Sequence, residues 1–191
     1  MSSKMSSNKI AVFIDYDNIM LNMKTEPPEK LSEEIGYQRM MSWLRGYGEV
    51  SLVFVFAPAI TIAARIEFFH ELGFIPIACP VFRITKQESS SILGGDDFED
   101  YETGETILIN KTDDVMIDVA KRTIELMPEI SHVCIASADA DFTPIAKLVE
   151  QMGKRVMIVI SSLRASKNFL TLADKGEDDK RMLHLFDPIR E

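Results

Sequence analysis

Cysteine and histidine are both scarce in this chain of 191 residues, which holds two cysteines and three histidines. Cys79 and Cys134 are too few for a disulfide framework or a cysteine-rich zinc module. Both stand in apolar runs and read as small buried hydrophobes in a reducing compartment, so the expected location is cytoplasmic. His70, His132 and His184 are scattered and form no H-x3-H pair, and His132 reads as structural. No run of about 18 apolar residues occurs, which excludes a membrane-spanning helix and a membrane partner. Positive charge is short as well: the formal net charge is −9. A protein that coats or scaffolds nucleic acid is usually basic, because phosphate contacts supply most of its affinity. The acidity argues against such a role but is compatible with an enzyme that meets phosphate through bound metal. No glycine-rich nucleotide loop is present, since Gly94-Gly95 is not followed by G-K-[ST], and no G-x-S-x-G elbow of a serine hydrolase occurs.

What is present is an ordinary globular composition, 46% hydrophobic and 27% charged, which excludes whole-chain disorder. Five short apolar runs read as strands: Lys9 to Asp15, Glu49 to Phe56, Phe74 to Cys79, Ser131 to Ser137 and Arg155 to Ile160. Their unbroken hydrophobicity suits strands covered on both faces. Helical spacing fills the gaps at Ser32 to Tyr47, Ala59 to Leu72, Thr112 to Met127, Thr143 to Met152 and Arg164 to Ala173. Gly73 and Gly153 supply helix ends, and Pro144 suits a first turn. The pattern predicts an α/β fold, a three-layer α/β/α sandwich with a mainly parallel sheet of at least five strands. Residues 1–8 are expected to be a disordered tail and 9–175 the domain. An insertion at about 83–109 is expected to carry a hairpin ending in Thr106 to Ile109, and 176–191 a linker with a short apolar segment.

Ligands of open parallel sheets bind beyond the carboxyl ends of the strands, and that is where the acids gather. The first run ends in Asp15-Tyr16-Asp17-Asn18, and the fourth in Ser137-Ala138-Asp139-Ala140-Asp141-Phe142. A third set, Lys111-Thr112-Asp113-Asp114 with Asp118, opens the helix that feeds the fourth run. Each acid also has a plain structural reading. Asp17, Asn18 or Asp141 suits a cap, Asp113 or Asp114 suits the positive end of a helix, and Asp118 suits a pair with Arg122 at i, i+4. Jointly those readings are strained. Converging carboxylates repel by roughly 4 kcal/mol per pair at 4 Å and an effective dielectric of 20, which a cation or protons must relieve. Oxygen-only ligands select Mg2+ or Mn2+ over zinc.

At these residues the chain resembles a known family. The segments F-I-D-x-x-N (Phe13 to Asn18), K-x-x-D (Lys111 to Asp114) and S-x-D-x-D-F (Ser137 to Phe142), with G-K-R-V at Gly153 to Val156, are similar to those of the NYN domain, a branch of the PIN-like ribonuclease superfamily. The resemblance covers roughly residues 9 to 175, with the 83–109 stretch as a variable insertion. It implies a PIN-like fold and a Mg2+- or Mn2+-dependent nuclease that hydrolyses phosphodiester bonds of RNA, single-stranded RNA being favoured as partner. It further implies Asp15, Asp114, Asp139 and Asp141 as catalytic metal ligands and Asn18 as the polar residue beside the first aspartate. Asp118 is a candidate for a water-mediated addition, and Lys111, Arg164 and Lys167 are candidates to hold flanking phosphates. Ala138 and Ala140 stand where the family often has glycine and serine, and Thr112-Asp113 where it often has Gly-Val.

Two rival readings start from the same residues. Asp15-Tyr16-Asp17 also resembles the opening D-x-D of haloacid-dehalogenase-type phosphatases, with Asp15 as covalent nucleophile, but Asn18 follows where threonine or valine is usual. The other rival is a non-catalytic module that binds RNA or protein through the acidic insertion. A homo-oligomer is compatible with any of these readings.

Overall fold

The apolar runs become parallel strands: Lys9–Asp15, Ile130–Ala136 and Arg155–Ile160 are buried on both faces, while Ile75–Cys79, at the sheet edge, stays partly exposed. The computed structural model describes residues 8–21, 30–85, 106–161 and 167–186. Residues 1–7 of the expected tail and Arg164 lie outside them, as do residues 86–105 of the insertion. In chain order come β1 (Lys9–Asp15), α1 (Tyr16–Leu21), α2 (Lys30–Arg45), β2 (Glu49–Pro58), α3 (Ala59–Glu71) and β3 (Ile75–Cys79). Then follow β4 (Val81–Thr85), β5 (Thr106–Asn110), α4 (Thr112–Leu126) and β6 (Ile130–Ala136). A 3-10 turn at Ala140–Phe142 leads into α5 (Thr143–Gln151), β7 (Arg155–Ile160), α6 (Lys167–Leu170) and β8 (Leu183–Leu185).

Six strands form one sheet in the order β3-β2-β1-β6-β7-β8. Every pairing in it is parallel. The period-two alternation of β1 divides the core. Ile10, Val12 and Ile14 face one layer, built from α1, α2 and α3 and including Tyr37, Met40 and Phe69. Ala11 and Phe13 face the other, built from α4, α5 and α6 and including Met116, Ala146 and Phe169. Each fully buried side chain of this size contributes about 1.5–3 kcal/mol, so the two faces together hold the sheet in register. The chain walks from β1 to β3 beneath one helical layer and from β6 to β8 beneath the other, as right-handed crossovers require. The reversal falls between β1 and β6, which opens a crevice at their carboxyl ends.

The helix ends follow the glycines. Gly73 and Gly153 take positive φ, +74° and +68°, and each closes a double capping pattern. After α3, the Gly73 and Phe74 amides donate to His70 and Phe69 carbonyls, and after α5 the Gly153 and Lys154 amides donate to Glu150 and Val149. Pro144 sits in the first turn of α5. Two elements differ from the sequence reading. A short helix, α1, follows β1 without a break. The last apolar segment holds a sixth strand of the sheet, β8, beside β7. The hairpin expected in the insertion is present as β4 paired antiparallel with β5, its first arm starting at Val81, two residues ahead of the expected boundary. Of the last helix expected, the described residues carry α6 alone. Among the described residues no helix is long and apolar enough to cross a membrane.

Candidate functional site

Asp15 is the last residue of β1, and the parallel pairing with β6 brings Ser137, the residue just past that strand, beside it. The fully buried Ser137 hydroxyl donates to Asp15 Oδ2 at 3.2 Å and accepts the Asp139 amide at 3.1 Å. The Asn18 amide donates to Asp15 Oδ1 at 3.3 Å, and the Asn18 side-chain oxygen accepts the Ala138 amide at 2.9 Å. The ends of β1 and β6 are thus stitched by side chains where strand pairing stops. Asp15 is only 6% exposed. Burial pushes its pKa up to about 7, and the Asp113 carboxylate pushes the same way. The Asn18 amide and the Ser137 hydroxyl oppose that rise, and Asp17 adds slightly to it. Asp17 itself is raised by burial.

Three carboxylates converge near Asp15, which is expected among them but is not in the group. Asp113, Asp139 and Asp141 each offer an oxygen such that the three lie within 4.8 Å of one another. Asp113 comes from the first turn of α4, whose N-terminal dipole favours acids. That turn is fixed by Asn110, whose side-chain oxygen accepts the Thr112 amide at 3.1 Å and hydroxyl at 2.7 Å. Asp139 and Asp141 come from the loop after β6, where Asp139 Oδ1 accepts the Asp141 amide at 2.9 Å and caps the 3-10 turn. Asp139 therefore combines the cap reading with membership of the cluster.

The structure places Asp114 differently from the sequence expectation. Its Oδ2 accepts a 2.7 Å bond from Lys111 Nζ, its side chain is 66% exposed, and it is not in the converging group. Neighbouring helical residues point about 100° apart, so turning Asp113 toward Asp139 turns Asp114 away. Lys111 is correspondingly engaged by Asp114, not presented alone to a phosphate. Asp118 pairs with Arg122 at 2.9 Å on the exposed side of α4, as its plain structural reading has it. Lys167 is exposed at the start of α6. Ser137 and Asn110, which hold the site together, are absent from the sequence-derived set. The serine is readable from its place in S-x-D-x-D-F, the asparagine only from its position before a helix. Cys79 and Cys134 are buried free thiols, and burial pushes both thiol pKa values up.

A nucleophilic role for Asp15 fits this geometry poorly, since both its oxygens accept hydrogen bonds and little of it meets solvent. The oxygen donors of the acidic group suit a hard divalent cation. No curated protein matches the chain. Among solved structures it is similar to that of a protein of unknown function from Vibrio parahaemolyticus. The TM-score is 0.58 at 18% identity, over 97% of this chain and 95% of the other, which shows a shared fold. Residues 9–176 match the sequence profile of the NYN domain, a span that contains every acid just described, and the chain belongs to that family of PIN-like nucleases.

Proposed function

We propose that this NYN domain is a divalent-metal-dependent ribonuclease that hydrolyses internal phosphodiester bonds of single-stranded RNA. The observation that carries this reading is the approach of Asp113, Asp139 and Asp141 within 4.8 Å, above the buried Asp15 at the switch point of the sheet. Like charges at such spacing cost several kcal/mol without a counter-charge. Asp15, Asp139, Asp141 and one carboxylate from the first turn of α4 would hold Mg2+ or Mn2+, the ions that an oxygen-only donor set suits. When bound, such an ion supplies charge neutralisation at the phosphate and a more acidic water.

The chain's own residues do the positioning. Ser137 fixes Asp15 Oδ2 and the Asp139 amide at once, so the two carboxylates keep one relative placement. Asn18 fixes the Ala138 amide and hence the start of the acidic loop. Pre-set ligand geometry of this kind lowers the reorganisation needed as water attacks phosphorus and the bridging oxygen leaves. The net charge of −9 favours few phosphate contacts and an extended single strand, whose bonds reach a site at the strand ends more readily than those inside a duplex. Incubating the protein with end-labelled single-stranded RNA tests the reading. Internal cleavage in Mg2+ or Mn2+, abolished by chelator and by Asp139→Asn, is expected; RNA left intact by folded protein in both ions overturns it.

A further inference from the structure

A cleft of about 510 Å3 is lined in part by Ala140, the residue that stands between Asp139 and Asp141 in the loop after β6, although no carboxylate of the cluster lines it. Thr143 and Lys147, four apart on α5 and so on one helical face, form one wall. Asn168 of α6 contributes to the lining, and Ala140 with the part-buried Leu172 supplies its apolar floor, over Phe169, which is itself only 1% exposed. Lys147 is exposed, and no carboxylate pairs with it among the described residues. Lys111, Arg122, Arg155, Lys175 and Lys180 all sit on aspartates, whereas among the described residues Lys147 does not, and neither do Lys121 and Lys167. In a chain of net charge −9, an ammonium without a partner beside a knot of carboxylates is a conspicuous anion contact.

We propose that this cleft is a nucleotide subsite, seating the nucleotide next to the bond held over the carboxylates, with Lys147 on a phosphate of the RNA chain. The inference rests on the nuclease reading above and names where its substrate lies. The volume falls in the range of small-ligand sites, roughly 300–1,000 Å3. The chemistry matches a nucleotide piece by piece: an ammonium for phosphate, an apolar floor for a base, and the Asn168 amide, donor and acceptor at once, for a base edge or 2′-hydroxyl. One amide and one cation read little sequence, so the subsite accepts any base.

Fluorescence anisotropy with a labelled single-stranded oligouridylate, in EDTA so that no cleavage occurs, tests the subsite. Lys147→Ala is expected to weaken binding about fourfold at 0.15 M salt and to lower the log–log salt slope by about 0.7, the counterion-release values for one phosphate. Lys147→Glu is expected to weaken it further. Lys121→Ala, which removes the same charge from an exposed position about two turns along α4 from Asp113, serves as control and should match wild type. Lys147→Ala binding like Lys121→Ala, or wild type failing to bind the oligouridylate, overturns the proposal. Cleavage assays in Mn2+ separate the two readings. Wild type that cleaves while Lys147→Ala binds normally loses the subsite and keeps the nuclease; Lys147-dependent binding without cleavage does the reverse.

Discussion

The Asn18 side-chain oxygen accepts the Ala138 amide at 2.9 Å, and this bond joins the end of β1 to the end of β6. It crosses the crevice that the reversal of strand order opens, so this asparagine, together with the Ser137 hydroxyl, ties the two halves of the acidic site. Asn18→Ala is expected to lower RNA cleavage at least tenfold while costing only about 1 kcal/mol of stability, the worth of one hydrogen bond. Cleavage rates beside a denaturant titration check this. Unchanged cleavage would show that the acidic loop holds its place without the tie.

The first turn of α4 offers two neighbouring acids in different surroundings. Asp113 lies in the converging group, and Asp114 is ion-paired to Lys111 outside it. Asp113→Asn is therefore expected to reduce cleavage and Mn2+ affinity by an order of magnitude more than Asp114→Asn. The opposite ranking would mean that Asp114, the residue at the motif position, turns inward when the ion binds and leaves Lys111 behind.

Much of this arrangement is legible in the sequence. Parallel strands covered on both faces are apolar without interruption, which marks β1, β6 and β7, while β2 and the edge strand β3 show as short runs rich in branched and aromatic residues between helical segments. The elements that escaped are short or amphipathic. Tyr16–Leu21 gives α1 too few residues to show a helical period, and the hairpin's first arm begins at Val81, ahead of the expected insertion, with Phe82 52% exposed, so its start lacks the signature of a core strand. Around the acidic group, motif order brings Asp139 and Asp141 together and sets Asp15 and Asn18 beside them, because strand ends in a parallel sheet share one edge. It could not choose between Asp113 and Asp114, since one residue along a helix is a rotation of about 100°, and first-turn spacing leaves that rotation open. Nor does spacing reveal that Lys111 is engaged by Asp114.

The buried Asp15 makes a pH prediction. Its carboxyl titrates at 3.8 when unfolded and at about 7 when folded, raised first by burial and then by Asp113. The folded state thus holds the proton more tightly. Its contribution to stability is complete below about pH 4 and is lost as pH rises toward 7, on the order of a few kcal/mol. Metal-free wild type, compared with Asp15→Asn, should lose stability across that window, with Asp15→Asn the more stable of the two at pH 8. Mn2+ affinity of wild type should rise through the same window as the proton leaves. Parallel stability curves for the two proteins would contradict this.

Relief of the repulsion among carboxylates should also appear as stabilisation by metal. A ligand that binds only the folded chain stabilises it by about 2.7 kcal/mol at 100 times its Kd. For a domain of this size that is a rise in Tm of roughly 5–11 °C. Millimolar Mg2+ or Mn2+ should raise the wild-type Tm, and Asp139→Asn should show no such rise while melting at or above the metal-free wild type. A large loss of metal-free stability in Asp139→Asn would make its cap on the 3-10 turn, not the cluster, its main role.

One titration tests the carboxylate-held metal most directly: Mn2+ added stepwise to wild type and to Asp139→Asn, with calorimetric binding and cleavage of labelled single-stranded RNA followed on the same samples. In wild type, cleavage should rise with the same saturation as binding, and in Asp139→Asn both should disappear. Saturable Mn2+ binding without cleavage, or cleavage that survives Asp139→Asn, would contradict a carboxylate-held metal as the seat of the activity.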